Sequence, residues 1–358
     1  MIKALIFINI YMVIVGIFII FLAKLLSHYG VCTIIINDDK EFSDTGGKSL
    51  LRMLFEHKYF IPSSCGGKGT CGYCKLRVPE GGGEVLPTET LLLTSKEVKH
   101  KFRLACQLKV RNNLKVLIPP EYLEIKEYEG QILSSSLVTS DIKKICIGLL
   151  PKDEFHAKPG QYVQVNFVTP EGNLDFRAYS VASHPDNKEM IELNVKLIPE
   201  GYGSSYLHSL KPGDKVHFSG PYGDFYLKTD SARKIVCVAG GVGLAPIKAI
   251  IAYWCSHVNS RVLELYYGSR TIKDLYDHKM FEELAQVRPN FHYYPALSEE
   301  DPNWKGGRGF IHKIIEKYLM GGADAEAYLC GPPIMIDAVT EVLKEKGVPE
   351  ERIWYDKF

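Results

Sequence analysis

The chain has 358 residues, 46% of them hydrophobic and 24% charged, with 43 basic side chains against 42 acidic ones. The apolar share excludes a disordered chain, and a net charge of +1 gives no electrostatic basis for a nucleic-acid partner. The length allows two or three domains, and nine cysteines, an odd number, exclude a fully paired disulfide framework.

Residues 4–23 (ALIFINIYMVIVGIFIIFLA) carry one strongly polar side chain, Asn9. Some twenty helical residues rise roughly 30 Å, the hydrocarbon thickness of a bilayer, while satisfying their own backbone. A cleaved signal peptide has a shorter apolar region ending at a small-x-small site, whereas LAKLLSHYG follows here. A core helix would not be apolar on every face at a chain terminus. The prediction is one N-terminal transmembrane helix within residues 1–30, contacting lipid, whose orientation Lys3, Lys24 and His28 leave open.

Next come a β-branched strand at 31–37 (VCTIIIN) and a helix at 48–59, on the spacing of Leu50, Leu51, Leu54 and Phe55. A cysteine- and glycine-rich loop precedes strands at 74–78 and 114–118, and Pro119-Pro120 marks a boundary. Short alternating strands recur between 127 and 227, among them 162–167, 191–197 and 215–218, which predicts an antiparallel barrel. From Lys234 onward, buried strands (KIVCVAG, RVLELYYG, FHYYPAL, AEAYLCG) alternate with helices, the pattern of an open parallel α/β sheet.

Cys65, Cys71 and Cys74 fall within ten residues (CGGKGTCGYC), and Cys106 follows in RLACQ. Four thiolates so spaced suit a [2Fe-2S] cluster, and the intervening glycines let the loop wrap it. Zinc is the alternative, since Cys71-x2-Cys74 resembles a knuckle, although a second close pair is absent. The plant-type spacing leaves four residues between the first two cysteines; here there are five. Cys32, Cys146, Cys237 and Cys255 read as small buried hydrophobes. Cys330 ends a strand before Gly331-Pro332-Pro333, where the carboxyl edge of a parallel sheet faces ligands.

Arg177-Ala178-Tyr179-Ser180 offers a guanidinium for phosphate, an aromatic face for a flat ring and a hydroxyl for a ring nitrogen. The turn Gly201-Tyr202-Gly203-Ser204-Ser205 opens a short helix whose N-terminus suits a pyrophosphate, and together the two point to a flavin. The run Ala239-Gly240-Gly241-Val242-Gly243-Leu244-Ala245-Pro246 joins a strand to a helix that continues through Ile251. Its glycines admit a phosphate close to the backbone, and Pro246 suits a first helical turn. Arg270 has no adjacent basic residue and lies near Asp274, which favours NADH over NADPH.

Taken in order, CGGKGTCGYC, GGGEVLPTE, RLACQ, RAYS, GGVGLAP, GFIH and CGPPIM resemble the F subunits of Na⁺-translocating NADH:quinone oxidoreductases over essentially the whole chain. The resemblance implies a transmembrane anchor (1–30), a β-grasp 2Fe-2S ferredoxin domain (31–125), an FAD-binding β-barrel domain (126–228) and an NADH-binding α/β domain (229–358). It implies that Cys65, Cys71, Cys74 and Cys106 hold the cluster, that Arg177, Tyr179 and Ser180 embrace FAD, and that Gly203, Ser204 and Ser205 lie near its pyrophosphate. Gly241, Gly243 and Pro246 would form the NADH loop, Cys330 would sit beside nicotinamide and act with Ser180 in catalysis, and Phe358 would cover the flavin. The implied activity passes hydride from NADH to FAD, then single electrons to the cluster and on to membrane-embedded partner subunits. Quinone would be the final acceptor and sodium export the coupled work. The implied location is the inner membrane, single-pass, with the soluble domains on the cytoplasmic side. One departure stands out: only 168–176 separate strand from RAYS, where the family often carries an insertion. A reductase component serving an oxygenase or another soluble acceptor is the alternative; a zinc-bearing membrane scaffold is a more distant one.

Overall fold

The computed structural model describes the backbone of residues 2–26, 29–150 and 153–357, with the side chains of the first helix described over 6–22. The chain divides into two compact units, Met1–Ile125 and Lys126–Phe358.

The first unit opens with α1 (Ile2–Leu26); between residues 6 and 22 its large apolar side chains stand mostly exposed, Phe7 at 79% and Ile20 at 68%. Among the described residues no helix is long and apolar enough to cross a membrane. The expected single-pass span is therefore not carried by the described residues; they give an exposed apolar helix.

Five strands follow: β1 (Val31–Ile36), β2 (Lys40–Thr45), β3 (Lys75–Glu80), β4 (Phe102–Leu104) and β5 (Leu114–Leu117), in the order β2-β1-β5-β3-β4. Only β1 and β5 run parallel. Alternation along β1 sends Cys32, Ile34 and Ile36 inward. Leu50, Leu51, Met53, Leu54 and Phe55 are the buried residues of α2 (Leu50–Glu56). This helix is shorter than the predicted 48–59. Ser49 caps it by accepting the Arg52 N–H, and Lys58 at φ +64° ends it.

Three short helices, α3 (Pro87–Thr90), α4 (Ser95–Lys99) and α5 (Pro120–Leu123), complete the unit. Glu89 of α3 is fully buried and pairs with Arg103 of β4, whose Nη2 donates to Oε2 at 2.6 Å. The same carboxylate accepts the backbone N–H of Leu86 and Leu104, while Arg103 also donates to the Gly82 carbonyl. Burial works against this charge, yet Arg103 and the two N–H groups outweigh it and hold the carboxyl below its usual range. A lowered carboxyl pKa gives stability that is present at neutral pH and lost as the acid range is entered. Glu89→Gln leaves the Arg103 charge buried and unpaired, so this unit should lose about 3 kcal/mol. Thermal melts at pH 7 and pH 4 check this: the variant should melt lower at pH 7 and show a shallower loss on acidification than the parent.

The second unit begins with β6 (Lys126–Leu137), β7 (Ile142–Leu149), β8 (Tyr162–Val168), β9 (Leu174–Ser180), β10 (Met190–Lys196) and β11 (Lys215–Tyr222). They form one antiparallel sheet in the order β10-β7-β6-β11-β8-β9, and a Val181–Leu193 bridge draws its two edges together. Ile145, Val163, Val165, Leu193 and Val216 fill the enclosed core, against which Leu207 of α6 (Tyr202–Ser209) packs. The β8–β9 connection is a tight turn, with the Thr169 N–H on the Asn173 carbonyl at 2.8 Å.

The remaining strands are β12 (Lys234–Gly240), β13 (Leu263–Ser269), β14 (Phe291–Leu297), β15 (Gly307–Arg308), β16 (Ala325–Gly331) and β17 (Ile353–Lys357). All are parallel, in the order β15-β14-β13-β12-β16-β17. One face packs against α7 (Leu244–His257) and α8 (His278–Val287), and the other against α9 (Ile311–Tyr318) and α10 (Pro333–Glu345). The chain winds outward from β12 to β13 and later returns to lay β16 on its other side. Strand order thus reverses between β12 and β16, the place where such sheets bind ligands.

Candidate functional site

The cysteine loop lies between α2 and β3, and Cys106 lies two residues after β4. All four thiols are free, and the Cys71 Sγ stands 3.4 Å from the Cys65 Sγ. That is far beyond a disulfide of about 2.05 Å. It is close to the roughly 3.8 Å between two sulfurs held tetrahedrally at about 2.3 Å from one metal. Cys74 and Cys106 make the second facing pair, braced by the Ala105 N–H on the Cys74 carbonyl at 2.9 Å. Gly66, Gly67, Gly69 and Gly72 all have positive φ, a region that costs any other residue strain, so the loop can fold its N–H groups toward the sulfurs.

Within each pair one thiol supports the other's thiolate. The Cys71 thiol, then the Thr70 and Cys71 N–H groups, overcome burial and pull Cys65 down to about 3. The Cys74 thiol, aided by the Gln107 amide 3.6 Å from Sγ, brings Cys106 to about 7 against the effect of burial. Cys71 and Cys74 are pushed up in turn, each first by its partner and then by burial. These four thiols would hold a metal as thiolates, their protons being released as it binds. The donor set fits a thiolate-held cluster.

In the second unit, Arg177, Tyr179 and Ser180 lie along β9, and α6 is brought against them. A Cβ at Gly203 would meet Arg177 Cγ at 2.7 Å and the Tyr179 hydroxyl at 3.0 Å, so only glycine allows this approach. Arg177 is held by Asp175 at 2.9 Å and lies over the Phe167 ring. Burial raises the Tyr179 phenol, which therefore stays neutral. Ser204 and Ser205 differ. The Ser204 hydroxyl is buried, donating to the Gly201 carbonyl at 3.0 Å and accepting the Ile198 N–H at 3.1 Å, so it is spent on the turn. Ser205 is exposed.

At the reversal point, Gly241–Gly243 forms a 3₁₀ turn before α7 begins at Leu244, with Pro246 buried in the first helical turn. Gly243 sits on the end of β16: an added Cβ would stand 2.5 Å from the Cys330 carbonyl carbon and 2.9 Å from the Gly331 nitrogen. The two loops that the sequence singled out separately are thus one packed structure. Cys330 is 1% exposed, and burial, followed by the nearby Asp356 charge, raises its thiol well above the ordinary value. It is a neutral thiol, not a nucleophile.

Asp356 was not marked by sequence reasoning. It pairs with Cys330 in the β16–β17 register, and burial pushes its carboxyl up to about 6. The alternation of the C-terminal IWYDKF is the only signal that could have found it. Arg270 stands 4.0 Å from Asp274, whose carboxylate opposes a 2′-phosphate there. Phe358 lies outside the described residues.

Family profiles match three stretches: a 2Fe-2S iron-sulfur cluster binding domain at 34–111, an oxidoreductase FAD-binding domain at 129–226 and an oxidoreductase NAD-binding domain at 237–341. The F subunit of the Na(+)-translocating NADH-quinone reductase of Yersinia enterocolitica is 36% identical over 386 residues, covering 95% of this chain and 95% of that protein. Its counterpart in Psychrobacter arcticus is 36% identical over 376 residues, covering 92% and 91%. Both alignments are longer than the chain, so these relatives carry residues without a counterpart here. Among solved structures, the Amycolatopsis cytochrome P450 reductase GcoB matches with a TM-score of 0.70 and 29% identity, covering 91% of this chain and 98% of that one. The ferredoxin reductase in carbazole 1,9a-dioxygenase matches with a TM-score of 0.69 and 26% identity, covering 92% and 98%.

Proposed function

This chain belongs to the family of F subunits of Na⁺-translocating NADH-quinone reductases, and from that premise we propose that it is the electron-entry component of a membrane complex that reduces quinone and exports sodium. It is an NADH-oxidising oxidoreductase with FAD and a [2Fe-2S] cluster. When bound, FAD accepts a hydride from NADH and the cluster takes its electrons one at a time. The observation that carries the reading is the presence of all three cofactor units on one chain, with four converging thiols at the one-electron end.

In this reading Cys65, Cys71, Cys74 and Cys106 hold the cluster. Arg177 turns from Asp175 to the FAD pyrophosphate, joined by the Ser205 hydroxyl and, since the Ser204 hydroxyl is spent, by the backbone N–H groups opening α6. Gly203 keeps that helix against Arg177 and Tyr179, Tyr179 offers its ring to the flavin, and the Ser180 hydroxyl serves a flavin ring nitrogen. Gly241, Gly243 and Pro246 shape the NADH turn, and Cys330 presents an uncharged thiol beside the nicotinamide. The aromatic cover by Phe358 rests on the resemblance alone.

The membrane partners follow from the family, and α1 is the segment we assign to the bilayer as a single-pass anchor. Its exposed Ile and Phe side chains are disfavoured in water and at home in lipid. Free thiols and the use of NADH support a cytoplasmic position for the part of the chain after α1. This chain has no ion path of its own in the reading; sodium crosses through partner subunits. Deleting residues 2–26 should release the protein from washed membranes and abolish quinone reduction, while NADH oxidation by a soluble artificial acceptor stays within about threefold. Retention on the membrane, or loss of the artificial activity, contradicts the assignment. The likeness to two oxygenase-type reductases supports a second reading, a reductase for a soluble acceptor, which predicts that the deletion leaves physiological electron delivery unchanged.

A further inference from the structure

The two layers of the second unit are tied by an ion cluster that none of the motifs includes. Lys248, on α7, places its Nζ 2.7 Å from Glu192 Oε1 on β10 and 3.0 Å from Asp277 Oδ2 in the turn before α8. Lys144, on β7, reaches Asp277 Oδ1 at 3.0 Å. Two of the four come from the barrel and two from the nucleotide sheet. Their side chains are 14–24% exposed, so the pairs are screened far less than surface ion pairs. Burial opposes the Lys248 charge, but Glu192 and Asp277 overcome it and raise the ammonium above its usual range.

The position of the cluster matters more than its strength. Ile191, Leu193 and Val195 fill the barrel core, so Glu192 and Asn194 occupy the opposite face of β10. The Glu192 carbonyl accepts the Ala182 N–H at 2.8 Å, two residues beyond Ser180. Lys248 lies in the second turn of α7, just beyond the Gly241–Gly243 turn, and β10 itself packs on that turn. The Glu192–Lys248 bond therefore closes a short path between the strand of Ser180 and the turn of Gly243. Asp277 holds φ +57°, a conformation that costs an aspartate energy and points its carboxylate at both lysines.

We propose that Lys248, Asp277, Glu192 and Lys144 form a latch that sets the nicotinamide turn against the flavin strand, making Lys248 and Asp277 positioning residues for hydride transfer. The inference rests on the electron-entry reading above. Hydride transfer depends on donor–acceptor alignment, and a misplacement of about 1 Å can cost about 100-fold in rate. Removing Lys248 leaves the half-buried Glu192 carboxylate without its cation, which weakens the seam.

The test uses the full chain carrying both cofactors, reduced anaerobically by NADH and by NADH deuterated at C4, alongside amide hydrogen exchange without nucleotide. Lys248→Met and Asp277→Asn should slow flavin reduction about 10- to 100-fold. The deuterium effect should be at least as large as in the parent, with FAD and iron content unchanged. Exchange should quicken at residues 181–182 and 240–244, and Lys248→Arg should recover most of both losses. Should a single change disrupt the seam, Lys248→Met with Glu192→Leu removes the ions without stranding a charge and should show the same slow reduction. Variants with parental rate and exchange overturn the latch, as does a rate loss that arginine fails to rescue. If the parent itself is not reduced by NADH, the functional reading fails, and the latch with it.

Discussion

A Gly243→Ala enzyme should lose at least about 100-fold in the rate of flavin reduction by NADH while keeping its FAD and its cluster. The reason is steric. Gly243 has an ordinary φ of −62°, so alanine meets no backbone strain there. Its methyl group would instead stand 2.5 Å from the Cys330 carbonyl carbon and 2.9 Å from the Gly331 nitrogen, both backbone atoms. These cannot retreat, because Gly331 already sits against Met335 and Gly240 at φ +154°. The turn must lift, carrying the start of α7 away from the strand ends. Gly241→Ala is the informative contrast. That residue has φ +55° with open space around it, so alanine costs only the left-handed penalty of about 1–2 kcal/mol. Stopped-flow reduction of both variants, with flavin and iron content as controls, separates crowding from strain. A Gly243→Ala enzyme within threefold of the parent, or one no worse than Gly241→Ala, contradicts the packed two-loop site.

The second large effect is expected at the other end of the electron path. Cys71→Ala removes one of four facing sulfurs, and a methyl group cannot replace a thiolate donor. The variant should carry no iron, show no cluster absorbance and lose quinone reduction by more than about 100-fold. Because Cys71 belongs to the first compact unit, hydride transfer in the second should survive, leaving NADH oxidation by an artificial acceptor within about threefold. Full iron content in the variant would refute the ligand assignment. Loss of both activities would contradict the independence of the two units.

Much of this site was legible in the sequence because its parts are local. The cysteine loop, RAYS and the glycine turn each fit within ten residues, and the chemistry proposed for them rests on residue type and spacing. The parallel sheet was legible for a related reason: strands buried on both faces leave continuous apolar runs such as KIVCVAG. The contacts that join these pieces were not legible. That Gly243 rests on Cys330 depends on β12 and β16 being neighbours, which strand patterns do not state. The Lys248–Glu192 pair spans 56 residues between elements of different domains, and neither residue stands in a motif. Ser204 shows the opposite limit: its hydroxyl read as a phosphate donor, but a local turn claims it first. The helix expected at 48–59 shrank because a capping serine and the positive φ of Lys58 outweighed apolar spacing.

The central claim is that one chain moves electrons from NADH through FAD to the cluster in that order. Anaerobic stopped-flow absorbance of the full chain mixed with NADH tests it most directly, followed at flavin and cluster wavelengths. The account predicts flavin bleaching first and cluster bleaching after it, with only the first phase left in Cys71→Ala. Cluster bleaching that precedes the flavin, or a cluster that stays oxidised while the flavin is reduced, would contradict it.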